Sequence, residues 1–452
     1  MKYFFTTQSP KIILAGLFIC FSMLSMAQET AISPYSRLGL GDLNYSHSPA
    51  YNTMGGASVA LSDFNLINIS NPASFSSFSR HMPIFEIDGA SQFLTLSSTS
   101  GEGNVQATTF KKLAIGIPVN DRIGFSIGLL PYTTTGYDIV SSNEDANFGV
   151  VDYTYKGNGG LNRAYLGGGY DLIDKDSIKL SVGVNFSLLF GNIEKSRRVE
   201  FPDDLNSLNT LATQTTSNSG VNFEFGLLYN QRVTNKFSYS VGASLSAGGT
   251  LNSTRDELFA TYTNFSGQEV IRDTLRYNSE NEGKITIPLN FKIGAAIKLN
   301  QNFEISAQYQ LQDWSQFKED FDQNSSSDTL GSSSSISAGI RYTPSDVFKG
   351  GVKYYEKIQY RVGVRYENTP LQFNKTQITE FGTSFGIGLP IKPSSTSKNK
   401  FRSLSMINIG MNVGRRGTTD NGLIQENFTN VYFGISIMPQ VVNRWFVKRK
   451  FD

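Results

Sequence analysis

The sequence predicts an all-β protein: a transmembrane antiparallel β-barrel of about 14 strands, preceded by an N-terminal plug, or hatch. Three observations lead to this prediction. Apolar and polar residues alternate along many extended runs. After the first 27 residues, no apolar run approaches the ~20 residues that a membrane-spanning helix needs. Only 17% of the residues are charged, while Phe, Tyr and Gly number 33, 21 and 42, a composition that suits strands with one lipid-facing side.

The alternation is clearest from Ile178 to Phe190, where Ile, Leu, Val and Phe occupy every second position. A period of two places alternate side chains on opposite faces of a strand. The apolar face would contact lipid, and the polar face, which elsewhere includes Glu224 and Arg361, would line a wet or plugged lumen. A soluble β-sandwich also alternates, but its strands are nearer five or six residues, and many runs here look longer.

The predicted strands are even in number, as single-chain bacterial barrels prefer, and they are joined alternately by short and long polar links. We expect the short links to be periplasmic turns and the long ones to be external loops. The expected long loops are 137–149, 191–215, 251–283 and 316–330. The predicted strands are 83–99, 104–119, 122–136, 150–171, 177–190, 216–230, 236–250, 284–298, 303–315, 331–343, 358–368, 376–390, 401–414 and 428–438.

Residues 1–27 have the features of a signal peptide. Lys2 and Lys11 carry positive charge, an apolar stretch follows, and small residues surround the expected cleavage position after Ala27. The stretch is short for a spanning helix, although a retained helical anchor is the alternative. We therefore expect export to the outer membrane and contact with its lipids.

The mature chain would contain no thiol and no excess charge. Cys20, the single cysteine, lies in the leader, which excludes disulfides and thiolate metal sites from the mature protein. Without Lys2 and Lys11, basic and acidic residues are equal in number, and the main body has no basic block. Nucleic-acid binding therefore has no support.

The segment 28–82 does not alternate, and Gly, Pro, Ser and Asn punctuate it. Such punctuation predicts a compact irregular element with tight turns. We expect this segment to fold into the lumen as a plug, and a flexible periplasmic tail is the alternative. The barrel is expected over 83–438.

Part of this segment, MGGASVALSDFNLINISNPASFSSFS, resembles the N-terminal hatch of the FadL-like outer-membrane transport proteins. Residues 115–137 are similar to the second and third strands of that family, and SPYSRLGLGDL and RWFVKRKFD look like its Bacteroidota branch. The resemblance implies a 14-stranded barrel with an inserted plug over nearly the whole mature chain. The hatch match centres on two short motifs, Gly55-Gly56-Ala57 and Asn71-Pro72-Ala73.

The same resemblance implies passive uptake of small hydrophobic compounds such as fatty acids. In that family a ligand caught among external loops passes to a pocket against the hatch and leaves laterally beside a kinked third strand. The corresponding strand here contains Pro131, Tyr132 and Gly136, and both proline and glycine weaken a strand ladder. An ordinary strand end at Pro131 is the alternative. The expected long loops at 191–215 and 251–283 are largely polar.

No catalytic, cofactor or metal site is predicted, so we expect a protein that is not an enzyme. His47 and His81 have no nearby Ser or Asp placed as a nucleophile motif requires. The segment 320–328 faintly resembles a calcium loop but lacks its central Gly and final Glu. The glycine strings LGLGDL and GGGY are not followed by a helix, as phosphate binding would require.

Residues 439–452 are predicted to leave the barrel as a periplasmic tail, because Pro439 interrupts strand pairing. Basic and aromatic side chains in this tail suit docking to an envelope protein, and a solvated tail is the alternative. The residues concerned are Trp445, Phe446, Lys448, Arg449 and Lys450.

Two functions remain open at this stage. The hatch resemblance favours a channel for a hydrophobic small-molecule ligand, gated by the plug. The polar loops and the basic-aromatic tail favour a non-transporting barrel subunit of a larger outer-membrane secretion or barrel-assembly complex, whose partners would be envelope proteins.

Overall fold

The computed structural model describes residues 33–44, 48–80, 82–99, 101–204, 207–265, 268–300, 302–321, 330–373, 376–396 and 401–439. Residues 1–27, both histidines, residues 322–328 of the segment with a faint resemblance to a calcium loop, and residues 440–452 lie outside these ranges. Within them, no helix is both long and apolar enough to cross a membrane.

The described residues form 20 strand segments, one short α-helix and five 3-10 turns. The helix is α1 (Pro49–Asn52), and the turns are Pro34–Arg37, Pro72–Ser77, Trp314–Gln316, Tyr354–Lys357 and Asp420–Gly422. The strands are β1 (Asp42–Leu43), β2 (Ile84–Ser98), β3 (Gly101–Pro118), β4 (Ile123–Pro131), β5 (Thr133–Asp145), β6 (Gly149–Gly159), β7 (Asn162–Asp174), β8 (Ile178–Glu200), β9 (Asn209–Arg232), β10 (Phe237–Ser246), β11 (Gly249–Phe265), β12 (Gln268–Ile287), β13 (Asn290–Leu299), β14 (Phe303–Asp313), β15 (Lys318–Asp320), β16 (Ser332–Tyr342), β17 (Gln359–Phe373), β18 (Thr376–Thr396), β19 (Phe401–Arg416) and β20 (Gln425–Ile437).

These segments build a closed barrel of 14 antiparallel strands, as predicted. Four wall strands are each divided by a bend, so that β4 with β5, β6 with β7, β10 with β11, and β12 with β13 count as one strand apiece. Each wall strand pairs with its neighbours along the chain, and β2 pairs with β20 to close the ring. Closure pairs neighbouring wall strands all around the ring, and such pairing is needed in a bilayer because an unpaired backbone group is costly there.

The two faces of the wall have opposite chemistry. Phe85 and Ile87 on β2 point outward and are exposed, whereas Glu86 and Asp88, which alternate with them, are buried inside. The same inversion recurs on β8, where Phe186 is exposed. An apolar exterior and a polar interior are what lipid contact around a plugged lumen requires.

One set of strand boundaries was predicted wrongly. The expected external loops at 137–149, 191–215 and 251–283 are largely strand, because β5, β6, β8, β9, β11 and β12 continue through them. These continuations pair in the order β5, β6, β8, β9, β11, β12 and form one sheet, which we call the outer extension. In these continuations Thr, Asn, Glu and Arg replace many of the apolar residues that reveal the period of two.

The described residues between 33 and 80 lie inside the barrel and are termed the plug. Most of the plug is buried, and Tyr51, Met54 and Phe75 have no exposed side-chain surface. Its hydrogen bonds reach wall strands that are far apart around the ring, including β14, β18 and β20. The wall starts at Ile84, one residue after the predicted boundary.

Candidate functional site: the plug–wall interface and the wall seam

The plug rests on a ring of wall glycines. A Cβ atom built on any of these glycines would come within 3.0 Å of a plug atom, often a backbone atom. The plug chain can therefore lie flat against the sheet only where side chains are missing. We call this set the glycine girdle; its members are Gly124, Gly169, Gly183, Gly226, Gly242, Gly294, Gly339, Gly363, Gly386, Gly410 and Gly434.

The first hatch motif lies at this contact. Gly55 and Gly56 have φ values of 68° and 83°, in the left-handed region that favours glycine. The Gly55 amide donates a hydrogen bond of 3.0 Å to the Ser384 hydroxyl on β18. Ala57 follows, with its side chain buried. The motif thus makes a tight turn against β16, β17 and β18.

The second motif lies against another part of the wall, beside β8 and β9. The Asn71 side-chain oxygen accepts a hydrogen bond from the Ala73 amide at 3.1 Å and so caps the 3-10 turn that Pro72 begins. Its amide nitrogen donates to the carbonyl oxygens of Val59, at 2.7 Å, and of Leu227, at 3.0 Å. The two motifs therefore make separate contacts with the wall and do not combine into one ligand site.

Buried ion pairs fix the plug near the end of the barrel where the short turns lie. Asp63 of the plug accepts two hydrogen bonds from the Arg341 guanidinium, at 2.8 and 2.9 Å. Arg341 also pairs with Glu304 of the adjacent strand, and the Tyr51 hydroxyl donates to Asp63 at 2.9 Å. A bidentate guanidinium–carboxylate pair of this kind gives geometric specificity as well as attraction.

A second charge network lies on β2 and β3. The Lys112 side chain is 1% exposed and contacts Glu86 at 2.5 Å and Asp88 at 3.0 Å. Glu86 also accepts a hydrogen bond of 3.0 Å from the Ile67 amide of the plug. The wall carboxylate therefore balances a buried cation and holds the plug backbone with the same group.

A third charge network lies on β7, β9 and β13. Glu224 on β9 binds Arg163 at 2.9 Å and Lys292 at 3.7 Å, and Lys292 reaches the plug through Ser70. The plug is thus tied to β9 and β13 by a third set of buried charges.

On the opposite side of the barrel, Arg416 on β19 binds Asp42 of the plug at 3.1 Å and Glu426 at 2.6 Å. The Ser33 hydroxyl donates to the same Glu426 at 2.5 Å. In total, four charge networks tie the plug to well-separated parts of the ring.

Apolar side chains fill the outer part of the lumen. Trp314 and Phe317, on the connection after β14, are 3% and 4% exposed and pack with Leu40 of the plug. Phe321 follows, and the Arg255 guanidinium lies 3.8 Å from the centre of its ring. The cluster also contains Leu161, Leu189, Ile193, Leu251, Ile285 and Ile287. Side chains of the protein itself therefore occupy the apolar region of the lumen.

A cavity of about 220 Å³ remains between plug residues 38–44 and the wall. Six charged side chains line it together with several apolar ones: Asp42, Lys111, Arg365, Glu367, Glu380 and Arg416. A pocket for a hydrophobic compound is lined mainly by apolar and aromatic groups with few polar ones. This cavity lies where a pocket between plug and wall was expected, but its charges do not suit a fatty-acid chain.

The wall has a seam next to the plug. β3 pairs with β4 only from Leu113 to Pro118. At Tyr132 the chain bends, and β5 pairs instead with β6. Within the described residues no strand pairing joins β3 to β5, so the two edges above this point border a gap.

Plug residues seal the lower end of the seam. β1 pairs with β5 through Asp42 opposite Thr134 and Leu43 opposite Thr133. The next residue, Asn44, spans the gap: its side chain accepts from Lys111 on β3 at 2.9 Å and donates to the Thr134 hydroxyl at 2.6 Å. The plug thus takes the place of a wall strand at this level.

Gly136 lies just above β1 on the same edge. Its amide donates to the Ser36 hydroxyl at 3.0 Å, and the same hydroxyl donates to the Gly136 carbonyl at 2.9 Å. Pro131 ends β4, and the Tyr132 carbonyl accepts from the Asn44 amide at 2.9 Å. The three residues of the predicted gap strand therefore border the seam, and their use as a lateral exit stays a prediction.

The residues that attach the plug were not recognised from the sequence. Ser36, Asn44 and Asp63 lie in a polar segment without periodicity, and Arg341 and Arg416 look like ordinary lumen-facing charges. The available signal was the unusual number of charges on the polar face of the strands, which implies partners inside the barrel. Among the described residues no group of three or more potential metal ligands occurs.

A family model named BamG matches residues 10–452 of the chain. The chain belongs to the BamG family. This family bears a different name from the FadL-like family that the hatch motifs resemble, and assignment to a Bacteroidota branch stays a prediction. No curated protein matches the chain.

Solved structures similar to this BamG-family chain share its fold. A FadL homologue from Pseudomonas aeruginosa has 11% identity and a TM-score of 0.55, covering 88% of this chain and 99% of its own. The toluene transporter TbuX from Ralstonia pickettii has 14% identity and a TM-score of 0.52, covering 87% and 98%. The CymD monoaromatic hydrocarbon channel has 12% identity and a TM-score of 0.52, covering 90% and 100%. At these identities the likeness shows the fold alone.

Proposed function

We propose that this protein is a non-transporting subunit of a larger outer-membrane barrel-assembly complex. The observation that carries the proposal is the plug, which buried ion pairs tie to widely separated parts of the ring. Membership of the BamG family supports the same conclusion. A subunit that serves as a partner needs a rigid barrel, and it does not need a plug that moves.

The energetics of the interface oppose a mobile plug. Separating one partner of a buried ion pair costs about 3–5 kcal/mol, since a charge is left without compensation. Asp63, Glu86, Asp42 and Ser70 each connect the plug to such a pair. Opening a path through the lumen would disturb several of these contacts at once and would also displace the apolar cluster around Trp314.

The proposal predicts a stable complex in native membranes. A tagged copy, extracted in mild detergent, is expected to co-purify in near-stoichiometric amount with a barrel much larger than itself. Depletion of the protein is expected to lower the folded amount of several other outer-membrane barrels, as measured by quantitative mass spectrometry of isolated outer membranes. Uptake of a fluorescent fatty acid is expected to stay unchanged.

The matched control is an unrelated outer-membrane barrel carrying the same tag at the same expression level. A lone barrel without a partner, together with unchanged amounts of other barrels after depletion, would rule out the assembly role.

A second candidate function is passive uptake of small hydrophobic compounds, as the hatch resemblance implied. The seam beside Tyr132 supports it, because a gap in the wall next to the plug offers a lateral route into the bilayer. Reduced uptake of toluene or a labelled fatty acid in a deletion strain, restored by the wild-type gene, would favour this function. The plug as a gate and fatty acids as ligands remain proposals.

Docking of an envelope partner by the C-terminal tail also remains a proposal, since Trp445 and Lys448 lie outside the described residues. Removal of residues 440–452 is expected to weaken co-purification of a periplasmic partner. Retention of the large barrel in the same pulldown would show that the shortened chain still folds.

A further inference from the structure

The seam has free strand edges above the part that the plug seals. From Tyr137 to Asp145, β5 pairs with β6 on one side, and no described residue forms a backbone hydrogen bond with its other side. From Gly101 to Lys112, β3 pairs only with β2. Two rows of backbone donors and acceptors therefore border the same opening.

β1 shows that this opening accommodates one extended segment. This two-residue strand lies against β5, and the adjacent Asn44 reaches across to β3, so at this level the seam is one extended segment wide. The plug ends this pairing at Gly136, where Ser36 binds both backbone groups. An extended chain placed above Gly136 would continue the β1–β5 pairing along the edge of β5.

The edge of β5 lacks three of the features that normally prevent strand addition. Edge strands are usually protected by bulges, prolines or charged side chains, above all lysines. β5 pairs with β6 in an unbroken register, and residues 137–145 contain neither Pro nor Lys. β12, at the far edge of the outer extension, is different: its pairing with β11 has three register shifts, and Glu280 has a φ of 57°.

The acidic side chains at the seam indicate the charge that an added strand would carry. Glu102 on β3 and Glu144 and Asp145 on β5 are exposed, while Asp138 is paired with Lys156 at 2.8 Å. Lys111 is engaged by Asn44 at the lower end. Arg37 and Arg197 lie near Tyr137 lower on the edge, so the excess negative charge is at the upper end of the seam, where a basic side chain would complement it.

We propose that the seam between β3 and β5 accepts one extended, basic strand from a partner protein, added to the edge of β5 by backbone hydrogen bonding. The proposal rests on the proposed function, because it assigns a place where a neighbouring subunit of the complex attaches. Backbone pairing supplies the affinity in this mode, and alternate side chains supply the specificity.

Photocrosslinking in the native complex tests the inference. A benzophenone amino acid replaces Val140 on β5, which is 63% exposed. The control replaces Tyr277 on β12, which is 67% exposed at the other edge of the outer extension. After irradiation of intact cells, the probe at 140 is expected to give one protein adduct at least tenfold above that from 277, and peptide mapping is expected to place it in a segment rich in Lys and Arg.

Charge reversal gives an independent readout. Glu144→Lys with Asp145→Lys is expected to reduce the adduct formed at residue 140 at least fivefold, while Glu280→Lys with Glu282→Lys on β12 leaves it unchanged. If the larger barrel still co-purifies but residue 140 yields only lipid adducts or none, the seam inference fails and the proposed function stands. If nothing co-purifies, the proposed function itself fails.

Discussion

Replacement of Arg341 by Ala is expected to lower the free energy of unfolding by about 3–5 kcal/mol, the cost of leaving buried charges without a partner. Arg341 neutralises both Asp63 of the plug and Glu304 of the wall, and its side chain is only 9% exposed. Without it, two carboxylates would share a poorly solvated site. Urea unfolding of the refolded barrel in lipid vesicles measures the change.

The control is Arg198→Ala in the outer extension, where Arg198 and Glu269 are 30% and 40% exposed. This exposed pair is expected to contribute less than about 1 kcal/mol. Adding Asp63→Asn and Glu304→Gln to Arg341→Ala is expected to recover part of the loss, since the buried charges disappear together. Equal small losses for Arg341→Ala and Arg198→Ala would contradict the interface described.

Replacement of Gly183 by Val is expected to displace the plug from the wall. A Cβ at this position would overlap the Pro72–Ala73 backbone, which cannot rotate away as a flexible side chain would. Overpacking of a close contact costs about 1–3 kcal/mol, and the strain falls on the plug because the wall strands pair on both sides. Limited proteolysis with mapped fragments is expected to show new cleavage within residues 49–79.

Gly103→Val on β3 serves as the matched control, because a Cβ there meets nothing within 4 Å. This variant is expected to give the wild-type fragment pattern. If both variants are cleaved alike, or if Gly183→Val stays protected, the girdle does not hold the plug.

The wall could be predicted from the sequence because the bilayer imposes a simple pattern. Lipid on one side and a polar interior on the other enforce a period of two, which is visible from Ile178 to Phe190. The pattern stops where the lipid stops, so the outer parts of β8 and β9 were predicted as loops. Strand pairing continues there without a hydrophobic signature.

The plug interface could be predicted only in part. The hatch motifs indicated a plug, and Gly55 and Asn71 do lie at its contacts with the wall. The ion pairs were not predictable from spacing, because Asp63 and Arg341 are 278 positions apart and no local pattern links them. Lys111 and Lys112 illustrate the same difficulty: they are adjacent, yet one reaches the seam and the other is enclosed by wall carboxylates.

We propose that the plug is a fixed part of a closed barrel that works as a subunit. A density map of the protein purified from native membranes in mild detergent tests it most directly. The account predicts a much larger barrel bound beside this one, with the plug in place and the Asp63–Arg341 contact intact. A solitary barrel with an elongated lipid-like molecule between a displaced plug and the wall would contradict it.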